Sequence, residues 1–200
     1  DVQPVFYAAL RFGLIALVLL PILFRRVPQN LGKLFLISTC MGSAHFALLF
    51  IGLANASGSA AAVVGQLGVP FTTILSIIFL SEKVRWRRGL GIALAFLGVI
   101  VITVDPASFN MEVGLFFVIG SAFVGAMGAI MMKQITPMPA IHMQAWMGAM
   151  SCLPLLVVSA LLNGFEGGVT GQFQAFVDGG LLIWLATLFA VFGLSLIHIS

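Results

Sequence analysis

Apolar residues run along this chain in long unbroken blocks, separated by short polar connectors. A helix rises about 1.5 Å per residue, so about 20 apolar residues cross the roughly 30 Å of bilayer hydrocarbon. Six blocks come close to that length: Val5 to Phe24, Leu34 to Ala54, Ser59 to Leu80, Gly89 to Val104, Val113 to Met132 and Ala140 to Leu162. A seventh starts at Leu181. The connectors "RRVPQNLGK", "NASG", "DPASFNME" and "GFEGGVTGQFQAFVDGG" read as hairpin loops, so successive helices are expected to run antiparallel. Barrel strands alternate apolar and polar residues, and these blocks do not. The Gly89 block is short, but Arg87 and Arg88 can snorkel and lengthen it. The pattern predicts an all-α polytopic membrane protein.

Composition and charge sharpen that picture. Hydrophobic residues make up 61% of the 200 and charged residues 8%, against about a quarter charged in a soluble domain. The net charge is +3, yet the chain lacks the solvated basic face that a nucleic-acid binder needs, so no nucleic-acid partner is expected. Cys40 and Cys152 both lie inside apolar blocks and read as small packing residues. Lys and Arg collect in cytoplasmic loops. With the first connector inside, Arg25, Arg26, Lys33, Lys83, Arg85, Arg87, Arg88 and Lys133 all fall inside, leaving only Arg11. Five of the six acids fall outside, Glu82 being the exception. The basic stretch "SEKVRWRRG" is then a cytoplasmic anchor, with Trp86 suited to the headgroup level.

A shift of 135 residues lays "QPVFYAALRFG" over "MPAIHMQAWMG" and aligns Pro4 with Pro139, Gly13 with Gly148 and Leu20 with Leu155. By the charge sorting, the first block runs from outside to inside and the sixth from inside to outside. The copies are inverted, as in many secondary transporters, whose substrate sites lie at midplane between the halves.

"VPFTTILSIIFLSEKVRWRRGLGIALAFLGVIVITV" resembles the end of an EamA domain of the drug/metabolite transporter superfamily, through Pro70, Glu82, Gly91 and Gly98. "QPVFYAALRFGLIALVLLPILF", with Arg11, resembles the second helix of that domain. "FIGLANASGSAAAVV" resembles its junction between third and fourth helices, although Asn55 departs from the family pattern. The resemblance implies a fragment of a ten-helix bundle built from two inverted five-helix repeats. Residues 1–104 are then the first repeat without its first helix, and 105–193 a second repeat cut short. Residue 1 is Asp, not Met, and "LSLIHIS" (194–200) reads as an adapter-derived tail, so both ends are expected to be incomplete.

A carrier needs polar groups at mid-depth facing a water-filled cavity. Pro70 has no N–H, so the Gln66 carbonyl is expected to lose its helical partner near the middle of the third block, with Thr73 one turn further along the same face. His45 lies near the centre of the second block, either as a proton-coupling or substrate-binding group or as a neutral side chain bonded to a neighbouring helix. Arg11 either pairs with an anionic substrate group or snorkels outward beside Tyr7. Trp146 occupies the Arg11 position in the inverted copy, with His142 and Gln144 nearby; it either stacks on substrate or anchors at the interface. The resemblance also implies a role for Glu82, read as an ion pair with Arg85 that positions a gate. Small-residue faces at Ser121, Gly125 and Gly128, and at Gly91, Ala95 and Gly98, read as close helix contacts. No phosphate loop, metal cluster or nucleophile–base pair appears, so neither catalytic residues nor a metal or cofactor are expected. The expected function is export of small metabolites, amino acids or drugs by alternating access in a bacterial inner membrane, with small-molecule substrate and membrane lipid as partners. An intramembrane enzyme on lipid-linked substrates and a non-transporting scaffold are the alternatives.

Overall fold

A computed structural model describes residues 4–24, 27–103, 113–163 and 165–178, and all the regular structure in them is helical. Four helical stretches in the described residues are long and apolar enough to span a bilayer: Leu31–Ala54, Gly58–Leu80, Val113–Met132 and Ala140–Leu162. The block from Leu181, the 194–200 tail and the junction at 104/105 lie outside the described residues.

The chain forms two compact units. The first comprises residues 1–43 and 135–200. It contains α1 (Pro4–Val18), a four-residue α2 (Leu20–Leu23) with Pro21 in its first turn, α3 (Leu31–Ser38), α9 (Ala140–Asn163) and α10 (Phe165–Asp178). Helix α1 packs on α9 where side chains are absent. A Cβ on Gly148 would come 2.9 Å from the Phe12 carbonyl and 3.2 Å from the Ala16 nitrogen, and one on Gly13 would come 3.2 Å from Cys152 Sγ. As numbering falls along α1 from Ala16 to Gly13 it rises along α9 from 148 to 152, so the helices are antiparallel, as expected for the first and sixth blocks. Phe6, Ala9 and Ile15 on α1 and Ala145 and Leu155 on α9 are all buried.

The segment α10 corrects the sequence reading, which took "GFEGGVTGQFQAFVDGG" for a hairpin loop. Phe165, Val169, Phe173 and Phe176 recur at near-helical spacing in the sequence. Phe176 is 2% exposed, and α10 lies on α9.

The second unit, residues 44–134, holds α4 (His45–Ala54), α5 (Gly58–Gly65), α6 (Gly68–Leu80), α7 (Trp86–Thr103) and α8 (Val113–Met132). Helix α8 is its centre, packed against α4, α5 and α6. Val64, Leu67, Val99, Leu115 and Val118 form the buried core, and the Phe71 ring meets Phe96 and Phe123 edge-on, each at 5.5 Å. Helices α4 and α8 are antiparallel, since Gly52 meets Val118 while His45 meets Gly125.

Both units bury serine hydroxyls beside their apolar cores and also turn large apolar side chains outward, as lipid allows. Ser38, Ser43, Ser76, Ser121, Ser151 and Ser159 are buried, while Leu94, Leu97 and Val101 on α7 are 57–75% exposed. That outer face of α7 also carries Gly91, Ala95 and Gly98, all exposed. A Cβ on either glycine would meet nothing within 4 Å. Among the described residues this stripe is no close helix contact, contrary to the sequence reading; the Ser121–Gly125 face is one.

Candidate functional site

The third block is broken where proline predicts. Pro70 offers no N–H to the Gln66 carbonyl, and its ring crowds that oxygen. The chain responds with a tight turn: Gln66 N–H donates to Val63 O (3.1 Å), Leu67 N–H to Val64 O (3.0 Å) and Val69 N–H to Gln66 O (3.2 Å). Regular bonding resumes at Phe71, whose N–H reaches Leu67 O at 2.9 Å. The Gln66 carbonyl is therefore satisfied, which corrects the expectation that it stands free; a shift from four-residue to three-residue spacing supplies the donor that proline removed. Pro70 is buried, and the Gln66 side chain is exposed. Thr72 and Thr73 donate their hydroxyl protons back to Gly68 O (2.6 Å) and Val69 O (3.0 Å). The Gln66 amide is thus the exposed polar group beside the break.

His45 begins α4 and faces α8. Its Nδ1 stands 2.9 Å from both the carbonyl and the hydroxyl of Ser121. With a proton on Nδ1 it donates to the carbonyl; with the proton on Nε2 it accepts from the hydroxyl. The niche holds either neutral tautomer. Gly125 makes room, since a Cβ there would come 2.9 Å from Nδ1, and the Phe46 ring stands edge-on at 5.1 Å.

Arg11 and Trp146 belong to the first unit. Each stands two residues before a glycine of the α1–α9 crossing, Gly13 or Gly148, so in this antiparallel pair they lie on opposite sides of it. Arg11 Nε and Trp146 Nε1 are buried with no hydrogen-bond partner, a costly state for a donor. The Trp146 ring lines a cavity of about 260 Å³, shared with His142 at the start of α9 and with two connectors, Val27 to Asn30 and Ile135 to Pro139.

Glu82 pairs with Lys133, Nζ to Oε1 3.5 Å, and not with Arg85. The expected pair required a helix through both residues, but α6 ends at Ser81 in the left-handed region (φ 53°), and residues 81–85 lie outside any helix. Arg85 instead caps the start of α7 from just outside it, its carbonyl accepting from Arg88 N–H at 2.9 Å. A hydrogen bond with Ser76, then the Lys133 charge, holds the Glu82 carboxyl below the usual carboxylate range. Trp86, the first residue of α7, is 74% exposed, with the Arg87 guanidinium 5.7 Å from its ring centre.

One polar assembly was absent from the sequence reading. The span Leu31–Ala54 contains a π-helical turn, Thr39–Ala44, where Gly42 lets Ser151 of α9 approach. Ser151 donates to Ser38 O at 2.9 Å, and Ser43 donates to Ser151 O at 3.4 Å. Such turns recur at functional sites. The visible signal was "STCMGS", a run of small and hydroxylic residues inside an apolar block.

Comparison with known proteins reads on these elements. The model of the EamA-like transporter family matches residues 1–104. An "Uncharacterized transporter" of Archaeoglobus fulgidus is 29% identical over 179 residues, 85% of this chain and 63% of that protein. Proteins named "Probable amino-acid metabolite efflux pump" from Salmonella typhimurium and Escherichia coli are each 31% identical over 82% of this chain, and over 56% and 57% of their own lengths. The chain thus spans little more than half of these two relatives. Both the family and the named relatives are transporters rather than enzymes.

Proposed function

The chain belongs to the EamA-like transporter family, and from that premise we propose that it exports small amino-acid-like metabolites across a bacterial inner membrane by alternating access. Membrane spans imply a lipid environment and the family implies a small-molecule substrate; the substrate class and outward direction are carried from the printed names of the two efflux-pump relatives. The observation that carries the reading is the break at Gln66 and Leu67, midway along a membrane-length span and next to a buried proline. A broken span puts polar backbone and an amide at mid-depth, the form that solute sites take in secondary transporters. Residues 1–104 and 105–193 are the two inverted repeats in this account, and the antiparallel α1–α9 pair, joined at the matching glycines Gly13 and Gly148, favours it.

Gln66 and Thr73, shaped by Pro70, are assigned to substrate, with Arg11 and Trp146 as stations on either side of the α1–α9 crossing. His45 is assigned to proton coupling as an ionisable side chain inside a span, held against Ser121 of α8. Glu82 holds the ends of α6 and α8 at a gate, while Arg85 caps the start of α7. No cofactor enters this scheme. Counterflow in reconstituted vesicles tests it: labelled phenylalanine or leucine should enter vesicles preloaded with the unlabelled compound faster than empty vesicles take it up. Equal rates for vesicles with and without protein would overturn the proposal.

A further inference from the structure

The cavity beside Trp146 has a composition that selects among solutes. Its walls are two connectors stiffened by Pro28, Pro137 and Pro139, each with a fixed φ and no N–H. The Trp146 indole and Leu34 supply apolar surface, and Gln29, Asn30, Thr136 and His142 supply polar groups. Among the described residues, no carboxylate, lysine or arginine lines it. A charged side chain entering such a space would lose hydration without gaining a partner. A flat apolar group gains instead, since it can stack against the indole and displace water from the prolines. The volume, about 260 Å³, is near the lower end for small-molecule sites and suits one ring-bearing side chain rather than a large drug.

We infer that this cavity is a recognition site for the uncharged aromatic or branched apolar side chain of an amino-acid-like solute, and that it rejects acidic side chains. The inference deepens the transport reading and rests on it for the identity of the solute. By the charge sorting both connectors lie on the cytoplasmic side, which makes this the first contact of an outgoing molecule. Trp146 serves as the stacking surface, and His142 as a polar group of the wall.

The test uses the full chain in lipid nanodiscs with Trp86→Phe and Trp184→Phe, leaving Trp146 as its one tryptophan. The probe is 4-nitro-L-phenylalanine, whose nitroaryl ring quenches an indole that it touches. Saturable quenching is expected, displaced by phenylalanine or leucine and not by aspartate. Thr136→Phe, which fills the cavity, should raise the half-saturating concentration about tenfold with an unchanged melting curve; His142→Phe is the second variant if that protein fails to fold. Quenching that rises linearly with concentration, or that aspartate displaces as well as phenylalanine, overturns the inference. Counterflow separates the two failures. Linear quenching in a protein that carries phenylalanine removes the cavity role and leaves transport standing, whereas saturable quenching without carriage leaves the cavity and removes transport.

Discussion

Lys133 Nζ lies 3.5 Å from Glu82 Oε1, tying the end of α8 to the residue that follows the left-handed cap of α6. Both side chains are about half exposed, so the pair acts more by geometry than by strength. Because the folded carboxyl is held below its ordinary value of 4.5, its contribution is present above that pH and is lost as pH falls through the lower folded value. Glu82→Gln and Lys133→Ala should therefore each lower the melting temperature slightly at neutral pH, and the double variant no further than either alone. The difference from the parent should vanish in acid. Melting curves from neutral pH to below 4 check this, and additive losses would break the link.

Gly148 is the tightest point of the α1–α9 crossing, since its neighbours there are backbone atoms that cannot step aside. Gly148→Ala should cost about 1–3 kcal/mol, as overpacking does. Gly13→Ala meets only the movable Cys152 Sγ and should cost less, with Cys152→Ala restoring what is lost. Thermal denaturation in detergent ranks the three variants.

Ser151 donates to the Ser38 carbonyl at the entry to the π-helical turn. Ser151→Ala removes that donor while keeping the volume nearly constant, so about 1 kcal/mol of stability should go. Hydrogen exchange of the Thr39–Ala44 amides should speed up, while that of α8 stays unchanged. Equal protection of the turn in both proteins would show that Ser151 does not hold it.

Much of this architecture is readable from hydropathy, because lipid imposes a length and a continuity that few soluble helices meet. The block Val113 to Met132 matches α8 at both ends, and the break near Pro70 follows from one missing N–H. Legibility fails where partners are distant in sequence. Glu82 has Arg85 three residues away, yet it meets Lys133, 51 positions on, because Ser81 turns the chain out of the helix first. Glycines at 91 and 98 share the spacing of a packing face, but spacing alone does not say which side of α7 meets lipid. The Gln66 carbonyl keeps a donor because helices tighten locally around proline, a relaxation absent from ideal four-residue bookkeeping. The candidate site is accordingly half legible: its residue types stand out in apolar blocks, whereas their bonding needs coordinates.

Pro70→Ala restores the missing donor and should regularise Gly58–Leu80 into one helix, with stability unchanged or raised. Gln66→Ala should leave stability within about 0.5 kcal/mol, since its side chain is exposed. Both should slow counterflow by about tenfold or more. Circular dichroism alongside vesicle transport separates these effects, and wild-type rates in both variants would remove the break from the mechanism.

The most direct measurement is side-specific labelling of Gln66→Cys in a Cys40→Ala/Cys152→Ala background, using a membrane-impermeant maleimide on oriented vesicles. Alternating access predicts reaction from each face in turn, slowed by added phenylalanine or leucine. A residue 66 that stays unreactive from both faces, with or without solute, would contradict the account.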